Sequence, residues 1–247
     1  GYTKSELLDA GLVVQNRNGG LYDKFRNRLM LPVIDTRGDV VAFGSRVLDK
    51  SEPKYMNSSE TPVYSKRRVL YGLNLAKKSK RPNIILCEGN LDIVTLHQAG
   101  FDNAVASMGT ALTVEQTRLL SRFTKELVLC YDNDNAGKIA TERALQILNG
   151  SEFSVKVLQL PRRLVDGEYI KQDADDFIKF QGPDAFERLL NGSENGVEFR
   201  MAQIAGKYDL KDDEARIAYC GEVSELLASL PGAVEREIYT GRAAEAA

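Results

Sequence analysis

The chain has 247 residues, 43% of them hydrophobic and 28% charged, at a formal net charge of −2. That is enough apolar material for one large domain or two or three small ones, and it excludes a disordered chain. No apolar run reaches membrane-spanning length and GYTKSELLDAG lacks the regions of a signal peptide, so the cytoplasm is the expected compartment. Three cysteines with no Cys-x-x-Cys pair exclude a disulfide framework and a standard structural zinc site. The first residue is Gly rather than Met and the chain stops inside a helical pattern at Ala247, so a piece of a longer protein is expected.

The charge is uneven. Residues 1–82 hold 16 Lys plus Arg against 8 Asp plus Glu, and the remainder holds 17 against 27. Chance spread over solvated faces is one reading; a polyanion-binding part joined to a metal-binding part is the other.

Taken in order, residues 1–20 read as a short helix with Ser5 as a possible cap, then a turn rich in Asn and Gly. Two apolar segments, Leu29 to Ile34 and Val40 to Phe43, flank Asp35-Thr36-Arg37-Gly38 and predict a hairpin. Arg26 and Arg28 precede its first strand and Arg46 follows its second, so three guanidinium groups can converge at one end of the sheet. Residues 51–72 lack apolar periodicity and read as an irregular surface segment. They interleave Lys54, Lys66, Arg67 and Arg68 with Tyr55, Tyr64 and Asn57, a mixture suited to phosphates and unstacked bases. A helix is expected from Leu73 to Lys80, with a boundary at Pro82.

From Asn83 the pattern alternates strand and helix. Residues 84–87 (IILC) form a buried strand ending at Glu88-Gly89, with Gly89 letting the backbone turn, and residues 91–100 a helix. Asp92 can cap that helix or bind a cation, capping being preferred; His97, the only histidine, is read as structural. Residues 103–109 are the next strand, and Thr113 with Gln116 predicts a capping box on the following helix. The run LVLCYDNDNAGK, residues 127–138, is a further buried strand that stops at Asp132 and Asp134 before a helix. Asp-x-Asp before a helix serves commonly as an N-cap and turn, and alternatively as a divalent-metal pair. A fourth strand, residues 154–160, leads through an unusually polar loop to Asp173, Asp175 and Asp176 before another helix. Right-handed crossovers bring the carboxyl ends of parallel strands to one edge, and acids gathered there repel unless cations join them. From Pro183 onward the chain reads as a small helical bundle without catalytic features.

Together these motifs identify a resemblance. YDKFRNRLMLPVIDTRGDVVAFGSR, PKYMNS and YSKRRVLYG are similar to the basic amino-terminal part, and EGNLDIVTL, SMGTALT, YDNDNAG and DADDFI to the successive Toprim motifs, of the RNA polymerase domain of bacterial replicative DNA primases. The resemblance implies a mostly parallel α/β Toprim sheet flanked by helices at residues 83–182, preceded by a basic α+β part at 1–82 and followed by helices at 183–247. It implies DNA-templated RNA primer synthesis by nucleotidyl transfer, with Mg²⁺ or Mn²⁺, two ions or more. Glu88, Asp132 and Asp134 would be catalytic, and would hold metal together with Asp173 and Asp175. Arg26, Arg28, Arg46, Lys54, Tyr55, Asn57 and Lys66 would contact template or nucleotide. The implied partners are single-stranded DNA, nucleoside triphosphates and the RNA primer, at the replication fork of the bacterial nucleoid. The family's zinc-binding domain and the domain that docks on the replicative helicase are expected to be absent from these residues. Asn90 stands where the family usually has an aromatic residue, Ser45 where it has Gly, Arg67 where Gly commonly follows the motif lysine, and the loop from Pro161 to Asp173 is longer than usual. A Toprim nuclease or topoisomerase, or a non-catalytic binding module, are the rival readings.

Overall fold

The computed structural model describes residues 1–109, 111–165 and 167–247. Thr110 of the SMGTALT motif and Asp166 of the polar loop lie outside the described residues.

The amino-terminal part opens with α1 (Lys4–Asp9), capped by Thr3 and Glu6 in a capping box, so Thr3 takes the role expected of Ser5. Strands β1 (Val13–Gln15) and β2 (Leu21–Asp23) pair antiparallel. The predicted hairpin is β3 (Arg28–Ile34) and β4 (Val40–Val47), to which β5 (Tyr55–Asn57) adds a third antiparallel strand. Its turn is held by Asp35, whose Oδ1 accepts from the N–H groups of Arg37, Gly38 and Asp39 at 2.8, 3.0 and 3.1 Å. The segment read as irregular surface is only partly so. It supplies β5, and it buries Tyr64 and Leu70, which have no periodic apolar neighbours to reveal them. Helix α2 (Leu73–Ala76) is a single turn, shorter than expected.

The second part is a sheet in the order β12-β9-β8-β6-β7. Four of its strands are parallel: β6 (Ile84–Cys87), β7 (Ala104–Ala106), β8 (Glu126–Leu129) and β9 (Ser154–Val157). The fifth, β12 (Glu194–Asn195), pairs antiparallel with β9 and, being two residues long, leaves no period in the sequence. Side chains alternate between two cores, as the pleat requires. Ile84 and Leu86 face α4 (Val114–Leu120) and α5 (Asn135–Leu148), whereas Ile85 and Cys87 face α3 (Asn90–Gln98), α6 (Ala174–Gln181) and α7 (Pro183–Asn191). Helix α7, read as the start of the carboxyl-terminal part, thus belongs to this core: Phe186 is fully buried and its ring centre lies 4.8 Å from that of Phe101. The polar loop after β9 is not structureless. It forms a hairpin, β10 (Arg163–Val165) and β11 (Glu168–Ile170).

The third part packs α8 (Gly196–Ala205), α9 (Asp213–Ala228) and α10 (Ala233–Ala246) around Tyr219, Val223 and Leu227.

Two contacts fix the basic sheet against the parallel one. Tyr71 exchanges backbone hydrogen bonds with Ala106 at 2.9 and 3.0 Å, extending the β7 edge. Gln116, fully buried, donates its amide to the carbonyls of Lys66 and Val69 at 2.9 and 3.0 Å while its Oε1 accepts from Thr113 N–H at 3.1 Å. The capping-box glutamine therefore also ties α4 to the basic segment. Gln116→Ala is expected to leave two part-buried carbonyls and one N–H without this partner and to lower unfolding stability by roughly 1–3 kcal/mol, read from urea midpoints. A change under about half a kcal/mol would show that water replaces the amide.

Candidate active site

Glu88 directly follows strand β6, and β8 is followed after two more buried residues by Asp132, so both acids emerge at the carboxyl edge of the sheet. That edge faces the amino ends of α3, α5 and α6, and each helix start uses an acid as a cap. Asp134 accepts from Gly137 N–H at 2.9 Å, Asp173 from Asp176 N–H at 2.8 Å, and Asp92 from Gly89 N–H at 3.2 Å. The capping reading of Asp92 and Asp134 is therefore correct, Asp173 is a cap as well, and capping does not compete with a site role, since a carboxylate retains a second oxygen. Asp92 spends its second oxygen on Asp175 N–H at 3.1 Å, which draws α6 against α3. Gly89 is extended (φ −100°), so it is needed for close approach rather than a turn: a Cβ there would stand 2.7 Å from Asp92 Oδ2. Gly137 has the stricter reason, because its Cβ would lie 1.9 Å from the carbonyl oxygen of Asp132.

A cavity of about 430 Å³ opens between this edge and the basic sheet. Glu88, Asp92, Asp132, Asp173, Asp175 and Asp176 line one wall, and Arg46, Lys54, Tyr55 and Asn57 the other. Arg46 lies over the Tyr55 ring at 5.8 Å and Lys54 at 5.4 Å, while Arg46 Nε is buried without a partner among the described residues. Asn57 donates to the carbonyl of Met108 at 3.2 Å.

The other expected residues stand outside the cavity wall. Arg26 stacks on Tyr22 at 5.0 Å, Arg28 donates to the carbonyl of Pro53 at 2.8 Å, and Lys66 is held by its backbone to Glu60 and Gln116. Asp134 caps α5 and pairs with Lys171 at 2.8 Å. The three arginines expected to converge thus separate: Arg46 reaches the cavity, Arg28 braces the segment before Lys54, and Arg26 lies on β2 and its approach.

The acids form two groups. Asp132 and Asp134 share Lys171, and Asp173, Asp175 and Asp176 bring carboxylate oxygens within 4.8 Å of one another. Asp175 also pairs with Lys179 at 2.6 Å and accepts from the Thr95 hydroxyl. Asp92 and Asp176 also line the cavity, beside the acids expected there. Spacing holds the signal for Asp92, one helical turn beyond Glu88, but only tertiary packing sets it against Asp175.

Crowding is visible in the protonation equilibria. Burial and the neighbouring Asp173 charge push Asp92 up to about 7 from 3.8. Burial, then the charge of Asp132, raises Glu88, and burial, with the charges of Asp176, Asp175 and Asp132, raises Asp173. Asp134 is lowered by its bond from Lys171 and by Gly137 N–H. Glu88 Oε1 is buried with no hydrogen-bond partner among the described residues. An all-carboxylate donor set with an orphaned oxygen and mutually repelling members suits hard divalent cations.

These shifts fix a sign. A carboxyl whose folded value is raised binds its proton more tightly folded than unfolded, so stability is lost as pH rises from about 3.8 to about 7 and levels off above. The metal-free protein is expected to lose stability between pH 5 and about pH 7 through Asp92. Asp92→Asn should flatten that slope, measured by urea denaturation in chelator. A variant as pH-dependent as the parent would remove Asp92 as the cause.

Comparison with known proteins follows this division. Residues 1–77 match the family model of the DNA primase catalytic core, N-terminal domain, residues 85–178 a Toprim-like model, and residues 197–247 the DnaB-helicase binding domain of primase. The third match gives the carboxyl-terminal helices, read from the sequence only as a small bundle, a likeness to a model named for helicase binding. An amphipathic period reports only the packed side of a helix, so it could not show what the outward face serves. The chain is 43% identical over 240 residues to a DNA primase of Clostridium acetobutylicum, covering 97% of itself and 39% of that protein. It is 37% identical to one of Listeria monocytogenes, covering 96% and 37%. It therefore spans about two fifths of the length of these relatives. Among solved structures, a DNA primase domain from Pseudomonas aeruginosa superposes with a TM-score of 0.81 at 36% identity, over 98% of this chain and 75% of that one. A primase catalytic domain solved bound to single-stranded DNA gives 0.82 at 34% identity, over 98% and 77%. With such identity sustained over three quarters of those domains, this chain belongs to the DNA primase family, within its catalytic core.

Proposed function

We propose that this chain is the primer-synthesising centre of a primase, a DNA-directed RNA polymerase that joins nucleoside triphosphates on single-stranded DNA during replication. The observation that carries this reading is one cavity with a carboxylate wall and a cationic, aromatic wall facing each other. A nuclease or topoisomerase would need the acids but not this second wall. Asp132, Asp134, Asp173 and Asp175, with Glu88, would hold Mg²⁺ or Mn²⁺, two ions or more. Bound there, the cations supply charge neutralisation at the triphosphate and a more acidic 3′-hydroxyl.

The chain's own residues account for the rest. Arg46 and Lys54 hold the phosphates from the opposite wall, the buried Nε of Arg46 gaining the anionic partner it lacks. Tyr55, half exposed at the rim, offers a face to an unstacked base. Glu88, whose proton affinity in the metal-free chain is raised by burial and by Asp132, would serve either as a further metal ligand or as the acceptor of the hydroxyl proton when the α-phosphoryl passes to the 3′-oxygen and pyrophosphate leaves. Asn57, fastened to Met108, keeps β5 at the distance the cavity needs. Arg26, Arg28 and Lys66, outside the wall, extend the cationic surface along which template and primer would run. Residues 197–247 would dock on the replicative helicase. No described helix is long and apolar enough to cross a membrane, in keeping with a place at the replication fork in the bacterial cytoplasm.

Incubation with a single-stranded template, nucleoside triphosphates and Mg²⁺ or Mn²⁺ separates the readings: short RNA supports primase, cleaved DNA a nuclease, and neither a binding module. Asp132→Asn is expected to cut synthesis about a hundredfold or more at saturating metal while the fold persists. Near-parental synthesis would overturn the assignment. Lys54→Ala and Lys66→Ala should weaken template binding alike on all sequences and reduce the salt slope by about 0.7 for each phosphate no longer neutralised. Either lysine whose removal leaves binding unaltered at several salt concentrations is an ordinary surface charge.

A further inference from the structure

We propose that the ammonium of Lys171 is a built-in counter-cation of the acidic edge, which a divalent ion must displace, so that the β10–β11 hairpin sets the metal affinity of the site. The proposal rests on the metal-site reading above. Lys171 Nζ bridges two carboxylates, 2.8 Å from Asp134 Oδ2 and 3.4 Å from Asp132 Oδ2. A protonated lysine has no lone pair with which to join a coordination sphere, and two cations cannot share those oxygens at close range. Lys171 and a metal at Asp132 and Asp134 therefore compete for the same two carboxylate oxygens.

The placement is built rather than incidental. Lys171 directly follows β11, and the next residue, Gln172, is buried, with its amide donating to the carbonyl of Pro161 at 2.6 Å. The excursion from Pro161 to Gln172 is thus closed at its base. Arg163 on β10 stacks on Phe180 of α6 with its guanidinium carbon 3.6 Å from the ring centre, which pins the hairpin to the helix that carries Asp175. Ordinary exposed ion pairs join two free side chains; here one end is anchored beside the site and serves two acids that repel each other.

The test is Mn²⁺ binding to the intact chain without nucleotide or DNA, followed by the electron paramagnetic resonance signal of free Mn²⁺ at low ionic strength. Lys171→Met and Lys171→Gln should each bind Mn²⁺ about fivefold more tightly than the parent, the size expected when two partly exposed ion pairs no longer compete. Lys171→Arg, which keeps the cation, should return to parental affinity. Lys156→Met, which removes a lysine paired with Glu126 on the sheet, should leave affinity unchanged. The gain should shrink at high salt, where the ammonium competes less. Unaltered or weaker Mn²⁺ binding in both neutral variants would overturn the proposal while leaving the metal site standing. Equal tightening by Lys156→Met would reduce it to a net-charge effect and overturn it likewise. If the parent chain shows no saturable Mn²⁺ binding, the metal reading falls and this proposal with it.

Discussion

Like charges brought together at the end of a buried sheet are the constraint from which the rest of this molecule follows. Parallel strands joined by right-handed crossovers deliver Glu88 and Asp132 to one edge, and the helix starts that follow deliver Asp92, Asp134, Asp173 and Asp175 to the same place. Each acid is held there by something specific. Backbone N–H groups at Gly89, Gly137, Asp175 and Asp176 stabilise three of them, and Lys171 and Lys179 neutralise part of the remainder. What is left over shows as raised proton affinity at Asp92, Glu88 and Asp173. The metal-free protein thus carries electrostatic strain, which the divalent cations proposed for this edge would relieve.

A second constraint is that the acids need an opposite wall. Lys171 and Lys179 reach the acids from their own part of the chain, whereas Arg46 and Lys54 across the cavity belong to the antiparallel part, whose position is fixed by polar links. Tyr71 adds backbone to the β7 edge, Gln116 reaches from α4 to Lys66 and Val69, and Asn57 reaches the Met108 carbonyl. These are polar links between buried or half-buried groups. Their energy depends on direction as well as proximity, which suits them to setting a width rather than merely adding cohesion.

Two of the departures from the family pattern fall around the same cavity. Ser45 and Asn90 both line it, with Ser45 buried and donating to the Met56 carbonyl at 3.0 Å. Gly44 between them is tight, since a Cβ there would stand 2.3 Å from Asn90 Nδ2. A smaller Asn in place of an aromatic ring therefore still closes directly on β4, and no carboxylate is displaced.

Strand and helix order, the Asp35 turn, the Thr113 and Gln116 capping box and the acids at strand ends were all legible in the sequence, because each rests on local chemistry: a period, a turn residue, a cap. The family was legible too, since its motifs keep their order along the chain. Three kinds of feature were not. Short elements such as β12, β10 and β11 have too few residues for a period to show. Tyr64 and Leu70 sit in the core without periodic neighbours. Contacts between distant segments, such as Asp92 with Asp175 or Lys171 with Asp132 and Asp134, leave no local mark, because 83 or 39 residues of chain separate the partners. By itself the sequence determined which side chains carry charge and at which strand or helix end each lies. Only the tertiary structure decided which of those ends meet, since a carboxylate's neighbours are set by how helices pack on the sheet, and that packing is governed by apolar surfaces elsewhere in the chain.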